Sequence, residues 1–460
     1  MHTKRWIPMF LLAFAALPAC ADDTTQVAAD TTVADAADTD DDAADVADDA
    51  TATADDAVDD AAGAEDVSAD ATETADTTVS SPAPTQLAVV GSDYLSVSIS
   101  ALDLEKRVVS APGFLDSGSA VTPGGAALSG DVVVAQTPTP DGRLVLIDRG
   151  TGVLSFVDAV TRKVGEQLSV ATGFYANPQD FLQVSSTRAV VSRMSANASP
   201  TPTPDDLDEG DDLVLIDLNP AKLAARVALG PYASLPGTVA APGRLAFDGK
   251  LVWVPLASMS TDFQTAGKGR VVAIDPQTGK VVHVVEAPES KNCVQARRLG
   301  TSTKIAVLCS GFFGEPDGKQ HAYSNILVID TAASPPVADV EASATVLAMA
   351  PFGKDLAALD ERYLVTTTTG DFAKETPDTL WLLDMASWGG FPLAKAGKPF
   401  GFSGLFADGA RRIVWAGEAS HATGDLRVFD VKDAEHPYEL PAVTSNPGGL
   451  AAVDLGAFGW

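Results

Sequence analysis

From residue 86 onward the chain consists of short runs rich in β-branched and large apolar residues, broken by Gly, Pro, Asp and Thr. That pattern predicts strands joined by tight turns rather than helices. Seven runs end on an aspartate: Leu102-Asp103, Val157-Asp158, Ile216-Asp217, Ile274-Asp275, Ile329-Asp330, Leu383-Asp384 and Phe429-Asp430. Successive aspartates lie 55, 59, 58, 55, 54 and 46 residues apart, a spacing that signals an array of like units. An aspartate closes a strand well because its carboxylate accepts N–H groups of the turn that follows. In the clearest unit, strands are expected at 131–136, 143–148, 153–158 and 163–170, with Pro140-Asp141-Gly142 as the first turn. Only 219–225 reads as a short turn of helix.

The stretch TPDGRLVLIDRGTGVLSFVDAVTRKVGEQLSVATG resembles the repeat of the YVTN family of β-propellers. Elsewhere the match is confined to the aspartate strand ends. The resemblance implies an all-β, seven-bladed β-propeller of four-stranded antiparallel blades over 86–460. It implies little about activity, because this fold hosts binding proteins and enzymes alike. Strand counting adds how the ring closes. The first unit begins at Gln86 with its second strand. The C-terminal run 449–455, after Asn446-Pro447-Gly448, is expected to supply the missing innermost strand and so leave no open edge.

Cys293 and Cys309 flank a hairpin turned at Gly300-Thr301-Ser302. If residues 299 and 303 pair, the two cysteines face each other, and a disulfide is expected.

The N-terminal region changes the picture. Lys4 and Arg5 precede an apolar stretch, and Leu17-Pro18-Ala19-Cys20 resembles the lipobox of bacterial lipoproteins, with Pro18 a departure from it. The resemblance implies that 1–19 is a signal peptide and Cys20 the lipid anchor of a cell-envelope protein. Read instead as an ordinary cleavage site, Ala19-Cys20-Ala21 would release a soluble secreted or periplasmic protein. Residues 20–85 are expected to form a disordered linker. Between 21 and 85 there are 20 acids and no Lys or Arg, with no aromatic residue to seed a core. The remaining residues, 86–460, hold 42 acids against 29 bases, so the net charge of −31 is concentrated in the linker. Nucleic acid is excluded as a partner, since its phosphates need Lys and Arg. A monomer is expected.

Catalytic motifs are missing: there is no glycine-rich nucleotide loop, HExxH or GxSxG, and no histidine lies at metal-ligand spacing. The segment Ala273 to Lys280 looks like a quinoprotein docking motif but has His283 where that motif has tryptophan. The informative feature is a set of long connections after the second strand in five units, at 195–211, 257–269, 311–324, 368–378 and 416–424. These share one face of a propeller with the connections between blades, and long loops on a rigid ring are where binding resides. The candidates on that face are Asp205, Asp208, Asp212, Phe312, Phe313, His321 and His421. Asn177, Asn292 and Asn446 precede first strands and are candidates to face the axis. The acids within 199–212 suggest Ca2+ as the one cofactor to test; no other is expected. Two functions follow: a propeller that binds a protein or small molecule through its long-loop face, or a lactonase- or quinoprotein-type enzyme with a small site at the channel mouth.

Overall fold

The structure, a computed structural model, describes residues 83–119, 125–201, 203, 207–316, 319–446 and 450–459. Its 28 strands form seven four-stranded antiparallel sheets, the blades of a propeller. Blade 1 is ordered β28 (Ala452–Phe458), β1 (Gln86–Ser92), β2 (Val97–Asp103) and β3 (Val108–Asp116) from the inside out. Blade 2 holds β4 (Val132–Val134) to β7 (Val164–Ser169), and blade 3 holds β8 (Pro178–Gln183) to β11 (Ala221–Ala228). Blade 4 holds β12 (Ala246–Phe247) to β15 (Lys280–Ala287), and blade 5 holds β16 (Cys293–Arg298) to β19 (Ala338–Ser343). Blade 6 holds β20 (Phe352–Ala358) to β23 (Gly389–Lys395), and blade 7 holds β24 (Leu405–Asp408) to β27 (Tyr438–Val443).

The core lies between the blades. Each of seven apolar clusters joins one blade to the next, as where Val145 and Phe156 of blade 2 pack with Phe181 and Val214 of blade 3. The middle strands are therefore buried on both faces, and their sequences are continuous apolar runs. Outer strands alternate instead, as in β15.

The ring closes as the strand count requires, but the closing strand starts three residues later than expected. It is Ala452–Phe458 rather than 449–455, and Val89 of β1 pairs with Leu455. Residues 447–449 lie outside the described set. The helical expectation for 219–225 fails. Residues Ala221–Ala228 form β11, because pairing with β10 (Gly210–Leu218) outweighs the helix propensity of an alanine-rich stretch. The one α-helix among the described residues, α1 (Lys319–Tyr323), sits in a long loop of blade 5.

Six of the seven aspartates cap the turn that follows them. Asp158 accepts from Thr161 N at 2.7 Å, and Asp103, Asp275, Asp330, Asp384 and Asp430 do the same within their own turns. Asp217 is the exception: its carboxylate pairs with Arg188 at 3.2 Å, and β10 runs one residue past it, to Leu218.

Cys293 and Cys309 form the expected disulfide, with sulfurs 2.02 Å apart. The register that brings them together differs from the expected one. Leu299 pairs with Lys304, not residue 303, and Arg298 faces Ile305. A bulge at Val294 then absorbs one residue and sets Cys293 opposite Cys309.

Candidate functional site

The innermost strands carry a polar cluster around the axis. Asp180 of β8 is fully buried and accepts from Gln136 N on blade 2 at 3.0 Å and Leu245 N on blade 4 at 2.9 Å. Burial pushes its carboxyl above the ordinary range, against the pull of nearby Arg244. Asp454 of β28 accepts from Val134 N at 2.8 Å and pairs with Arg244 at 3.1 Å. Asp355 of β20 reaches Gly404 N of blade 7 at 3.4 Å. Each carboxylate thus joins the inner segment of its own blade to another.

A second set of groups spans the ring. Gln136 donates to Ala296 O at 2.7 Å and Leu245 O at 3.2 Å. Gln295 donates to Gln136 Oε1 at 2.6 Å and exchanges bonds with the Leu356 backbone. Arg297 donates to Leu356 O at 2.9 Å and Gln136 O at 3.0 Å. Burial and the Arg244 charge bring the Arg297 guanidinium down to about 9. Blades 2, 4, 5 and 6 are therefore tied together by side chains that meet at the axis. These axial residues were missed by the sequence reading. The available signal was a polar residue inside a first strand, as in Asp180-Phe181-Leu182 and Asp454-Leu455.

The three asparagines bond elsewhere. Asn446 accepts from Ser100 Oγ at 2.8 Å and donates to Val89 O at 3.3 Å, which ties it to the second and third strands of blade 1. Asn292 donates to Ser310 Oγ, and Asn177 accepts from Gln179 Nε2, both at 2.7 Å.

On the long-loop face, buried acids clasp consecutive blades. Asp211 accepts from Ala240 N and Ala241 N, at the entry to blade 4. Asp378 does so for Phe400 N and Phe402 N ahead of blade 7, and Asp425 for Ser445 N and Asn446 N ahead of β28. Burial raises the carboxyls of Asp211 and Asp378. Asp212, fully buried, takes both Arg193 and Arg226. Most described acids of the proposed cation loop are thus engaged by the protein. Asp208 receives Thr201 N and Oγ1 on one oxygen, while its Oδ1 has no partner. Asp205 lies outside the described residues, and among those described no group of three metal-ligating side chains occurs.

Phe312 is buried against Met259 and Ala266, whereas Phe313 is exposed, its ring centroid 6.4 Å from that of Phe400. His321 of α1 lines a pocket with Ala344, Thr345, Ala348 and Met349. His421 is half-buried, 3.4 Å from Thr423 Oγ1.

The two faces differ sharply in exposed apolar residues. Tyr94, Leu95, Tyr175, Leu235, Phe313, Val346, Phe372 and Phe400 all lie in long-loop-face connections. The turns of the opposite face offer only Val160 and Val337 among the described residues. Two of the aromatic residues, Tyr94 and Phe400, have φ of 68° and 55°. That backbone is costly for a bulky side chain and collects at functional sites.

No family model and no curated protein matches the chain. Among solved structures it resembles a hypothetical selenium-binding protein of Sulfolobus tokodaii, with a TM-score of 0.53 and 9% identity over 82% of this chain and 93% of that one. It also resembles a Bacteroides fragilis protein assigned as a 6-phosphogluconolactonase, with a TM-score of 0.50 and 9% identity over 81% of this chain and 98% of that one. At this identity the likeness establishes the propeller fold and nothing about activity.

Proposed function

We propose that this protein is a lipid-anchored cell-envelope propeller that binds a protein partner through its long-loop face. The observation that carries the reading is the confinement of exposed loop aromatics to that face. An apolar patch with a polar rim is the ordinary mark of a protein contact. Phe313 of the blade 5 loop meets Phe400 at the entry to blade 7, with 6.4 Å between ring centroids, and the exposed Phe372 lies in the loop of blade 6 between them in sequence. The clasp from Asp378 to Phe400 N fixes one of its members. Attachment comes from Cys20, with the acidic linker as a spacer; among the described residues no helix is long and apolar enough to cross a membrane. The test is affinity capture from envelope extract with the wild type and with Phe313→Ser, Phe372→Ser and Phe400→Ser combined. A protein retained by the first and lost by the second supports the reading. Identical captures overturn it.

A further inference from the structure

The long loop of blade 3 borders a recess to which the phenylalanine patch contributes no residue. Its volume is about 710 Å3, within the range of small-molecule sites. Thr172 and Gly173 line it from the connection between blades 2 and 3, and Asn197, Ser199, Thr201 and Asp208 line it from the loop. The wall is therefore made of hydroxyls, an amide, a glycine and one carboxylate.

That carboxylate is short of partners. Asp208 is only 7% exposed. Its Oδ2 accepts from Thr201 N at 2.9 Å and Thr201 Oγ1 at 3.0 Å, while Oδ1, equally buried, accepts no hydrogen bond. A charged oxygen shut away from water without a donor is costly. Nor is its charge offset nearby. The described charges between residues 193 and 212 are Arg193, Asp208, Glu209, Asp211 and Asp212, and Arg226 of β11 pairs with two of these acids. Arg193 is taken by Asp212, Arg226 by Asp212 and Glu209, and Asp211 by the N–H groups of Ala240 and Ala241. Two arginines thus face four acids, and Asp205 and Asp206 of the same loop add the same sign.

The backbone around Asp208 is pinned on both sides. Arg193 Nη2 donates to Leu207 O at 2.7 Å, Asn197 Nδ2 to Asp208 O at 2.8 Å and Asn197 N to Glu209 O at 2.7 Å. The carboxylate is thus positioned in advance of any ligand.

We infer that this recess binds a hydroxylated primary ammonium compound, an amino sugar or amino alcohol, through Asp208. The ammonium supplies the donor that Asp208 Oδ1 lacks and offsets the local negative charge. The ligand's hydroxyls meet the Ser199 hydroxyl and the Asn197 amide oxygen. A bare metal ion fits less well, because the recess is far larger than an ion and no three His, Cys, Asp or Glu side chains gather among the described residues. The site does not depend on what the phenylalanine patch binds.

The test is calorimetric titration of the full chain with glucosamine, with N-acetylglucosamine, which keeps the hydroxyls and loses the charge, and with Ca2+ alone. Glucosamine is expected to bind with a Kd below about 10 mM and about tenfold or more tighter than N-acetylglucosamine. Asp208→Asn keeps an oxygen for Thr201 and is expected to weaken binding about tenfold or more. Ser199→Trp, at an exposed position on the wall, is expected to do the same by filling the recess, and it decides the matter if Asp208→Asn fails to fold. Phe313→Ser is expected to leave binding unchanged. No glucosamine binding at about 10 mM, equal binding of the acetylated sugar, binding of Ca2+ alone, or binding indifferent to either wall substitution in a folded variant would overturn the inference.

Discussion

Asp180 of blade 3 holds Leu245 of blade 4 through a single buried bond, from Leu245 N to Asp180 Oδ2, at 2.9 Å. The other carboxylate oxygen holds Gln136 N of blade 2, so one side chain ties three blades at the axis.

Asp180→Ala leaves those N–H groups without acceptors in a buried setting. Each unpaired group costs about 1–3 kcal/mol, so the loss of stability expected is about 3 kcal/mol or more. Denaturant unfolding reads it directly. Asp180→Asn keeps one acceptor oxygen and is expected to lose less. Equal stability of wild type and Asp180→Ala would show that the ring does not depend on this clasp.

The acid side of the stability profile is set partly by the capped turns. Bonds from Arg362 and from Ala386 N pull the Asp384 carboxyl from 3.8 down to about 2. A carboxylate depressed in the folded state stabilises above its unfolded pKa, and that contribution is lost as pH falls through the folded one. Asp384→Asn is therefore expected to be less stable than wild type at pH 7. The difference should close as the pH falls from about 4 toward about 2. A stability difference that is constant over that window would contradict the assignment.

Reduction of Cys293–Cys309 opens a loop with a sequence separation of 16. The double change Cys293→Ser, Cys309→Ser is expected to cost about 3 kcal/mol, the amount a closed loop of this size is worth. Both cysteines are fully buried, so the native protein is expected to resist reductant until it is unfolded. Thermal melts with and without reductant check both points.

Deleting residues 450–460 removes β28 and bares the inner edge of β1, whose seven residues Gln86–Ser92 all pair with that strand. An exposed edge invites pairing with other chains. Aggregation or loss of cooperative unfolding is expected, and light scattering with a denaturant melt reads both. A monomeric, cooperatively folded product would contradict the closure.

Much of this was legible in the sequence, for physical reasons. The aspartate turns recur because each solves the same local problem, and six of seven solve it as expected. Asp217 departs because its carboxylate is taken by Arg188 instead of the turn. The closing strand was legible in kind but displaced, since an apolar run does not mark which of its residues meets the partner strand. The disulfide was legible although the hairpin register was off by one, because the bulge at Val294 corrects a slip that no local pattern reveals. The axial groups were not legible. Asp180 and Asp454 are the single acids of their short first strands, and only the assembled ring brings them to the axis. Phe372 and Phe400 escaped for a similar reason: an aromatic residue in a loop is buried or exposed according to neighbours from other blades, as Phe312 and Phe313 show side by side.

The working face is the central claim, and footprinting tests it most directly. Hydroxyl-radical labelling of the protein on intact envelopes, compared with the purified protein, reports which side chains a partner covers. The account predicts protection at Phe313, Phe372 and Phe400 with Val160 on the opposite face labelled equally in both. Protection centred on Val160, or none on either face, would contradict it.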